Sequence, residues 1–177
     1  MKVVGFCGPS GVGKTTLLEG VIAALRAHGQ AVSVIKHTHK RFDIDQPGKD
    51  SWRHRQAGAG EVLLASSQRL ALLRELPQPR EPDVHALIGE LQPVDWVLVE
   101  GFKHAALPKV EVWRAALGQP VLYPDDPGVI AVATDDPAAL PVPPGALPVL
   151  ALNSPGAVAD RLLAWGERFN YTGDTHG

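Results

Sequence analysis

Hydrophobic positions in the first part of the chain change from a short continuous run to helical spacing and back. Residues 2–7 form a mostly apolar run of the kind found in buried parallel strands. After Thr15 the apolar residues recur on one helical face, at Leu17, Leu18, Val21, Ile22 and Leu25. Gly29 ends this pattern, and a second apolar run follows at 31–35. The order strand, helix, strand predicts a βαβ unit.

The remaining apolar runs continue this alternation. Further strands are predicted at 62–65, 70–73, 94–99, 110–113, 129–133 and 149–152, and further helices at 50–57, 84–91 and 157–169. The first two of these strands flank a polar turn, which favours an antiparallel pair. The rest favour the α/β class, with a mostly parallel central sheet and helices on both faces. We expect one domain at 1–169 and a disordered tail at 170–177.

Composition narrows the possible classes of protein. The chain has 177 residues, of which 45% are apolar and 20% charged, the balance of a soluble globular domain. Its net charge of −2 predicts no nucleic-acid partner and no membrane partner. The single cysteine, Cys7, excludes an intramolecular disulfide and is expected in the core. Because we see neither a signal peptide nor an apolar run of membrane-spanning length, we expect a cytoplasmic protein.

The segment between the first strand and the first helix matches G-x-x-x-x-G-K-[ST] in full. Its residues are Gly8, Pro9, Ser10, Gly11, Val12, Gly13, Lys14 and Thr15. The glycines allow backbone N–H groups to converge on phosphate oxygens, and the helix that follows points its positive end at them. Lys14 is expected to reach the outer phosphates, Thr15 to hold Mg²⁺ and Thr16 to bond an inner phosphate. This predicts a P-loop NTPase fold that binds a nucleoside triphosphate with magnesium.

A second chemical feature is the acid that ends the apolar run at 94–99. In P-loop proteins, an acid at the carboxyl end of a nearby strand lies close to the phosphate loop and holds magnesium or its water. We therefore interpret Glu100 as a magnesium residue. The alternative is a solvated carboxylate at the end of a strand. Asp95 opens the same run, so we expect it far from the site.

Together with the phosphate loop, several later segments resemble the molybdopterin-guanine dinucleotide biosynthesis protein B family. The resemblance covers nearly all of residues 2–168. It rests on residues 8–17, Lys36-His37-Thr38-His39, 42–51, Arg53, 57–59, 99–103, 108–111 and Arg114. This combination is far more specific than the phosphate loop alone, because many P-loop proteins lack the later segments.

The resemblance implies a homodimer that binds GTP with Mg²⁺ and hydrolyses it weakly. Its partner would be the molybdenum cofactor guanylyltransferase, which attaches GMP to molybdopterin. Asp50 falls where related GTPases carry a switch acid near magnesium and the attacking water. Lys14 and Asp50 are thus the candidate catalytic residues, and Thr15, Asp50 and Glu100 the candidate metal residues.

Guanine recognition is the point at which the sequence departs from the usual GTPase pattern. The tetrad N-K-x-D is absent. Residues 134–136 follow a predicted strand, as that motif should, and a carboxylate there can accept hydrogen bonds from the ring N–H and the amino group of guanine. We assign this role to Asp135, while the preference for guanine itself is implied by the resemblance.

Two features near residue 40, a pair of histidines and a basic stretch, each allow more than one interpretation. His37 and His39 are candidate metal ligands, but we see no third ligand beside them, and solvated or phosphate-facing side chains are favoured. A basic stretch surrounds Asp43 and Asp45. It is either a solvated loop or a site for an anion such as the phosphate of molybdopterin or a second nucleotide. Its basic residues are Lys36, Lys40, Arg41, Lys49, Arg53 and Arg55.

Two other functions use the same loop. A small-molecule kinase needs an acceptor pocket and usually a lid with arginines, and the absence of a helix-rich insertion in the sequence counts against it. A non-catalytic adaptor needs only that nucleotide binding sets a conformation for a partner. The identity of the released product separates the kinase from the GTPase.

Overall fold

The computed structural model describes residues 1–38 and 42–173. The chain divides into two compact units, one made of Met1–His37 with the residues from Asp83 onward, the other of Thr38–Pro82. Residues 174–177, part of the predicted disordered tail, lie outside the described residues. The rest of that tail includes Asn170, which forms an isolated antiparallel bridge with Lys2.

The helices and strands follow the predicted order. In chain order they are β1 Lys2–Cys7, α1 Lys14–Ala27, β2 Val32–Lys36, α2 Asp50–Gln56, β3 Glu61–Ala65, β4 Leu70–Arg74, α3 Val84–Gly89, β5 Trp96–Glu100, β6 Lys109–Trp113, β7 Val129–Thr134, β8 Val149–Ala151 and α4 Pro155–Ala164. Short 3₁₀ turns lie at Ala115–Leu117, Pro137–Ala139 and Gly166–Phe169.

The first unit contains a six-stranded sheet in the order β2-β5-β1-β6-β7-β8, with every neighbouring pair parallel. Alternate residues of β5 face opposite sides. Trp96 and Leu98 pack into the core formed with α1 and α4, whereas Val97 and Val99 pack with α3. Burial on both faces explains why these strands are continuously apolar. The structure confirms the predicted α/β class, with a parallel sheet covered by helices on both sides.

The face of β6 away from α1 is covered by a loop that is fastened by buried charges. The Glu111 carboxylate accepts hydrogen bonds from the backbone N–H groups of Leu122, at 2.7 Å, and Tyr123, at 2.9 Å. Lys109 donates to Asp126 at 2.7 Å. Burial raises the pKa of Glu111, and the two N–H groups oppose that shift. A loop without regular secondary structure can therefore close this side of the sheet because its polar groups find partners in it.

The last helix differs from its prediction at both ends. We predicted a helix at 157–169, but α4 begins at Pro155 and ends at Ala164, and a 3₁₀ turn follows. Proline is well suited to the first helical position, since its missing N–H would have no partner there. Gly166 follows the end of α4 directly after Trp165, and glycine disfavours continuation of a helix.

The second unit consists of α2 and an antiparallel hairpin of β3 and β4. The hairpin confirms the predicted antiparallel pair. Within this unit the guanidinium of Arg55 contacts three carboxylates, those of Asp43 at 2.7 Å, Asp45 at 3.2 Å and Glu75 at 2.8 Å. Arg55 is thus occupied by intramolecular partners, which removes it from the basic residues proposed for an anionic ligand.

None of the described helices is long and apolar enough to cross a membrane.

The close packing of α1 on α4 generates a stability prediction. A Cβ atom on Gly20 would lie 2.5 Å from Cβ and 2.6 Å from Cγ of Pro155, whose ring cannot turn away. We expect Gly20→Ala to lower the free energy of unfolding by about 1–3 kcal/mol, although alanine is the better helix former. Urea denaturation measures this change.

Gly156→Ala is the matched control, because no atom lies within 4 Å of the position that its Cβ would take. This variant should keep or slightly exceed the original stability. Equal behaviour of the two variants would contradict the proposed steric contact between the helices.

Candidate phosphate-binding site

The predicted phosphate loop joins the end of β1 to the start of α1. Gly8, Gly11 and Gly13 have φ angles of 134°, 80° and 99°, which only glycine adopts without strain. A Cβ on Gly8 would also lie 2.3 Å from the carbonyl oxygen of Val112. Glycines with positive φ angles allow the N–H groups of such a loop to turn toward one side, the arrangement that binds anions.

One apolar residue fixes this loop to the protein interior. Val12 is buried in the core beneath α1, whereas Ser10 and Gly11, which directly precede it, are exposed. No atom lies within 4 Å of a Cβ placed on Gly11. Val12 therefore fixes the loop to the core, while the side of the loop that carries Ser10 and Gly11 faces solvent.

Lys14 lies across the loop. Its Nζ donates hydrogen bonds to the carbonyl oxygens of Gly8, at 2.8 Å, and Pro9, at 2.7 Å. Burial lowers the pKa of Lys14, and the nearby Glu100 carboxylate acts in the opposite direction. An ammonium held by two neutral carbonyls can exchange them for phosphate oxygens, which are better acceptors because they are charged.

Glu100 ends β5 beside the loop, since its Cα pairs with Phe6 of β1 and with Lys36 of β2. The hydroxyl of Thr15 donates to Oε1 of Glu100 at 2.8 Å. Nζ of Lys36 lies 3.3 Å from Oε2 of the same carboxylate and 3.2 Å from Oγ1 of Thr15. Three elements thus bring one hydroxyl, one carboxylate and one ammonium together.

This oxygen pair tests the expectation of magnesium. Mg²⁺ prefers hard oxygen ligands and usually takes one or two from the protein, with the rest from water and phosphate. Thr15 and Glu100 supply a hydroxyl and a carboxylate in contact with one another, and the ammonium of Lys36 already lies against both. The residues present fit a cation at this position.

The backbone after Glu100 turns sharply against the neighbouring strand. Gly101 has a φ angle of 97° and donates its N–H to the carbonyl oxygen of Phe6 at 3.0 Å. Phe102 has a φ angle of 48°, which is unusual for a residue with a side chain. Its ring stacks on the imidazole of His37 with centroids 4.6 Å apart. This packing holds the ends of β2 and β5 together.

Asp135 follows β7 and is held by two partners. Oδ2 accepts from Arg114 at 3.0 Å and Oδ1 from the backbone N–H of Ala115 at 3.0 Å. The Ala115 N–H and the Arg114 guanidinium keep the pKa of Asp135 below its ordinary value. Arg114 in turn donates from Nε to the carbonyl oxygen of Val12 at 3.3 Å. The carboxylate is thus linked to the phosphate loop through Arg114.

Asp50 belongs to the other compact unit, where it is the first residue of α2. Its carboxylate is 91% exposed and lies 3.8 Å from Arg53, one turn along the helix. An acid in the first helical turn is favourable to the helix dipole. The switch role assigned to Asp50 by resemblance stays a prediction.

Metal binding by histidine finds no support in the described ranges 1–38 and 42–173, where no group of three or more His, Cys, Asp or Glu side chains could hold an ion. His37 stacks on Phe102, and His39 lies outside the described residues.

Asp95 is at the opposite end of β5 from Glu100, as expected, and accepts a hydrogen bond from the N–H of Ala31 at 2.7 Å.

The single cysteine lies directly before the loop and is fully buried, which confirms its predicted place in the core. Burial raises the pKa of the Cys7 thiol to about 12, with a smaller effect of the same sign from Glu111. The thiol is therefore protonated at neutral pH and inert toward electrophiles.

Sequence reasoning missed two contacts of the site. The roles of Lys36 against Thr15 and Glu100, and of Arg114 against Val12, depend on strands that are distant along the chain. Both residues occur in the segments that carry the family resemblance, and each directly follows or ends a predicted strand. Their positions at the carboxyl ends of predicted strands were the sequence signal that could have placed both residues near the phosphate loop.

A glycine loop between a strand and a helix, with an acid at the end of the adjacent parallel strand, defines a protein of the P-loop NTPase fold. The chain belongs to the MobB family: residues 3–135 match the model of the family described as "Molybdopterin guanine dinucleotide synthesis protein B". This assignment agrees with the resemblance found in the sequence.

Individual relatives agree with this assignment. A protein of Escherichia coli (strain K12) named molybdopterin-guanine dinucleotide biosynthesis adapter protein is 40% identical over 173 residues, which cover 96% of each chain. One of the same name from Haemophilus influenzae is 39% identical over 170 residues, covering 96% of this chain and 92% of the relative.

Solved structures show the same fold. The crystal structure of a MobB protein homolog from Bacillus stearothermophilus has a TM-score of 0.66 and 28% identity, with 94% of this chain and 99% of that one covered. The structure of Bacillus subtilis MobB has a TM-score of 0.71, at 24% identity, with 93% and 97% covered.

Proposed function

We propose that this chain is a GTP-binding adapter protein in the biosynthesis of molybdopterin guanine dinucleotide. The names of the full-length relatives support the adapter role. The contact of Thr15 with Glu100 beside a complete phosphate loop carries the nucleotide part of the proposal, because it joins the two groups that a magnesium–triphosphate complex requires.

In this function the loop and Lys14 bind the phosphates. The backbone N–H groups around Gly8, Gly11 and Gly13 donate hydrogen bonds to the phosphate oxygens, while Lys14 leaves the two loop carbonyls for the outer phosphates. Thr15 and Glu100 would hold Mg²⁺, directly or through water, and the ion would offset the negative charge of the phosphates. Thr16 is exposed at the start of α1, and its hydroxyl would bond an inner phosphate.

Slow hydrolysis belongs to the same proposal. Asp50 orients the attacking water or receives its proton when the third phosphate is bound. Among the described residues, Arg114 is the arginine in contact with the loop, and it is already engaged by Val12 and Asp135. No arginine is therefore assigned to stabilise the developing charge, which keeps turnover slow.

The adapter acts on a partner, which we propose to be the guanylyltransferase that completes the cofactor, and direct contact with molybdopterin is a hypothesis of the same kind. We also propose a homodimer in the cytoplasm. Exposed apolar side chains on the second unit support an interface, since such patches on soluble proteins mark contact surfaces. They are Phe42, Ile44, Leu63, Leu64, Leu70, Leu72 and Leu76.

The first test removes the lysine of the loop. Lys14→Ala should weaken GTP binding by about 10- to 100-fold, because it deletes a charged hydrogen-bond donor to the phosphates. It should also abolish any difference between the GTP and GDP states in affinity for the guanylyltransferase. Calorimetric titration of nucleotide and then of partner measures both effects.

The fold should survive this change, since the hydrogen bonds of the Lys14 side chain go to carbonyl oxygens of the loop and it is not part of the apolar core. Near-normal GTP affinity in a folded Lys14→Ala variant would contradict the phosphate-binding role. Partner binding that is independent of nucleotide would contradict the switched adapter while leaving GTP binding intact.

The second test addresses guanine preference. Asp135→Asn replaces an acceptor of guanine N–H groups by a side chain with donors of its own, at a cost of about 1–3 kcal/mol. We expect a smaller gap between GTP and ATP affinity in competition binding. An equal loss of GTP and ATP affinity in Asp135→Asn would instead mean that Asp135 only positions Arg114. Equal affinities of the unmodified protein for GTP and ATP would contradict the proposed preference for guanine.

The third test separates two acids. Glu100 ends a buried strand, so Glu100→Gln should weaken magnesium-dependent binding of GTP and GDP alike. Asp50→Asn should spare GDP binding and slow hydrolysis by about 10- to 100-fold, because a switch acid acts when the third phosphate is present. Single-turnover hydrolysis beside GDP titration measures both, and unchanged hydrolysis would leave Asp50 as a helix-terminal acid.

A further inference from the structure

The ammonium of Lys36 lies where the proposed cation would bind. Its Nζ is 3.2 Å from Oγ1 of Thr15 and 3.3 Å from Oε2 of Glu100. Thr15 and Glu100 are themselves joined by a hydrogen bond of 2.8 Å. One positive charge thus contacts both protein oxygens of the proposed magnesium site.

A second ammonium, that of Lys14, lies across the phosphate loop, where burial lowers its pKa, the Glu100 carboxylate raises it and Lys36 lowers it. Magnesium at Thr15 and Glu100 would use the two oxygens that the ammonium of Lys36 already contacts, and two positive charges at that separation repel strongly. Metal binding at these oxygens would therefore displace an ammonium from them. Lys14 is partly buried against the loop and is needed by the phosphates, so Lys36 is the group that moves.

The structure allows Lys36 to leave without disturbing the sheet. Its side chain is 55% exposed, whereas that of Glu100 is 10% exposed. The backbone stays fixed, since Lys36 pairs with Glu100 along β2 and β5, and the next N–H, of His37, donates to the Glu100 carbonyl at 2.9 Å. Only a flexible side chain must turn into solvent, and an ion pair of this exposure is weak.

We propose that Lys36 is an internal counter-ion of the magnesium site, occupying it until the metal arrives and competing with the metal for Thr15 and Glu100. The inference rests on the nucleotide binding proposed above and adds a residue that tunes its metal dependence. Without metal, Lys36 neutralises the buried carboxylate that would otherwise repel the phosphates. Because the metal must displace this ammonium, a higher concentration of Mg²⁺ is needed to load the site.

Competition gives a signature that a structural ion pair does not. Removing the positive charge of Lys36 should lower nucleotide affinity in the absence of magnesium. It should also lower the Mg²⁺ concentration at which half of the gain in affinity is reached, so the two steps change in opposite directions. Thermodynamic linkage requires the two changes to match in size if the affinity of the fully loaded complex stays constant. A residue that only supports the fold would weaken binding in both conditions.

The experiment compares Lys36→Met with Lys36→Arg and the original protein. Calorimetry measures GDP and GTP affinity in EDTA, and then the free Mg²⁺ concentration that gives half of the gain in affinity. For Lys36→Met we expect GDP binding in EDTA to weaken by about three- to tenfold, and the half-effect concentration of Mg²⁺ to fall by a similar factor. Lys36→Arg keeps the charge and should stay near the original in both.

Arg26→Met is the matched control for loss of one positive charge. Arg26 is in the last turn of α1, about 18 Å along that helix from Lys14. It should change neither measurement. Far-UV circular dichroism and urea denaturation establish that each variant is folded, and Lys36→Gln, which also removes the charge, replaces Lys36→Met if that variant is unfolded.

The outcomes separate the inference from the function on which it rests. Equal weakening of Lys36→Met with and without Mg²⁺, or values equal to those of Arg26→Met, would overturn the counter-ion role while nucleotide binding stands. A changed Mg²⁺ response in Lys36→Arg as large as in Lys36→Met would also overturn it. Absence of nucleotide binding by the original protein in every condition would overturn both proposals.

Discussion

The parallel pairing of β5 with both β1 and β2 is the constraint on which the candidate site depends. Parallel strands end at the same edge of a sheet, so the start of the glycine loop, Lys36 and Glu100 meet there. The register is fixed by ladder hydrogen bonds and by apolar residues buried on both faces. The side chains of the site therefore converge through rigid strands, and a hydroxyl, a carboxylate and an ammonium remain in contact.

Local patterns predicted the parts of this arrangement that depend on neighbouring residues. The glycines of the loop predict backbone with positive φ angles, and the helical spacing after Thr15 predicts α1. An apolar run that stops at an acid predicts β5 and Glu100. The fold class followed because strand and helix patterns alternate along the chain. Each of these signals lies within a window of a few turns or one strand.

Contacts between distant segments were not predictable in the same way. That Arg114 would contact the loop at Val12 depends on β6 lying next to β1, which the chain order does not reveal. The partners of Arg55 within the second unit likewise depend on how its loop folds back. The boundaries of α4 were missed for a different reason, because Pro155 and Gly166 are local signals that the apolar pattern outweighed.

The burial of the Cys7 thiol, directly before the phosphate loop, has a practical consequence. Since Cys7 is the single cysteine of the chain and is inert in the folded protein, one cysteine introduced at an exposed position would be the only reactive one. A fluorophore or spin label attached to the hairpin of β3 and β4 would then report on that element alone. Nucleotide-dependent motion and self-association could be followed spectroscopically without first removing a native residue next to the phosphate loop.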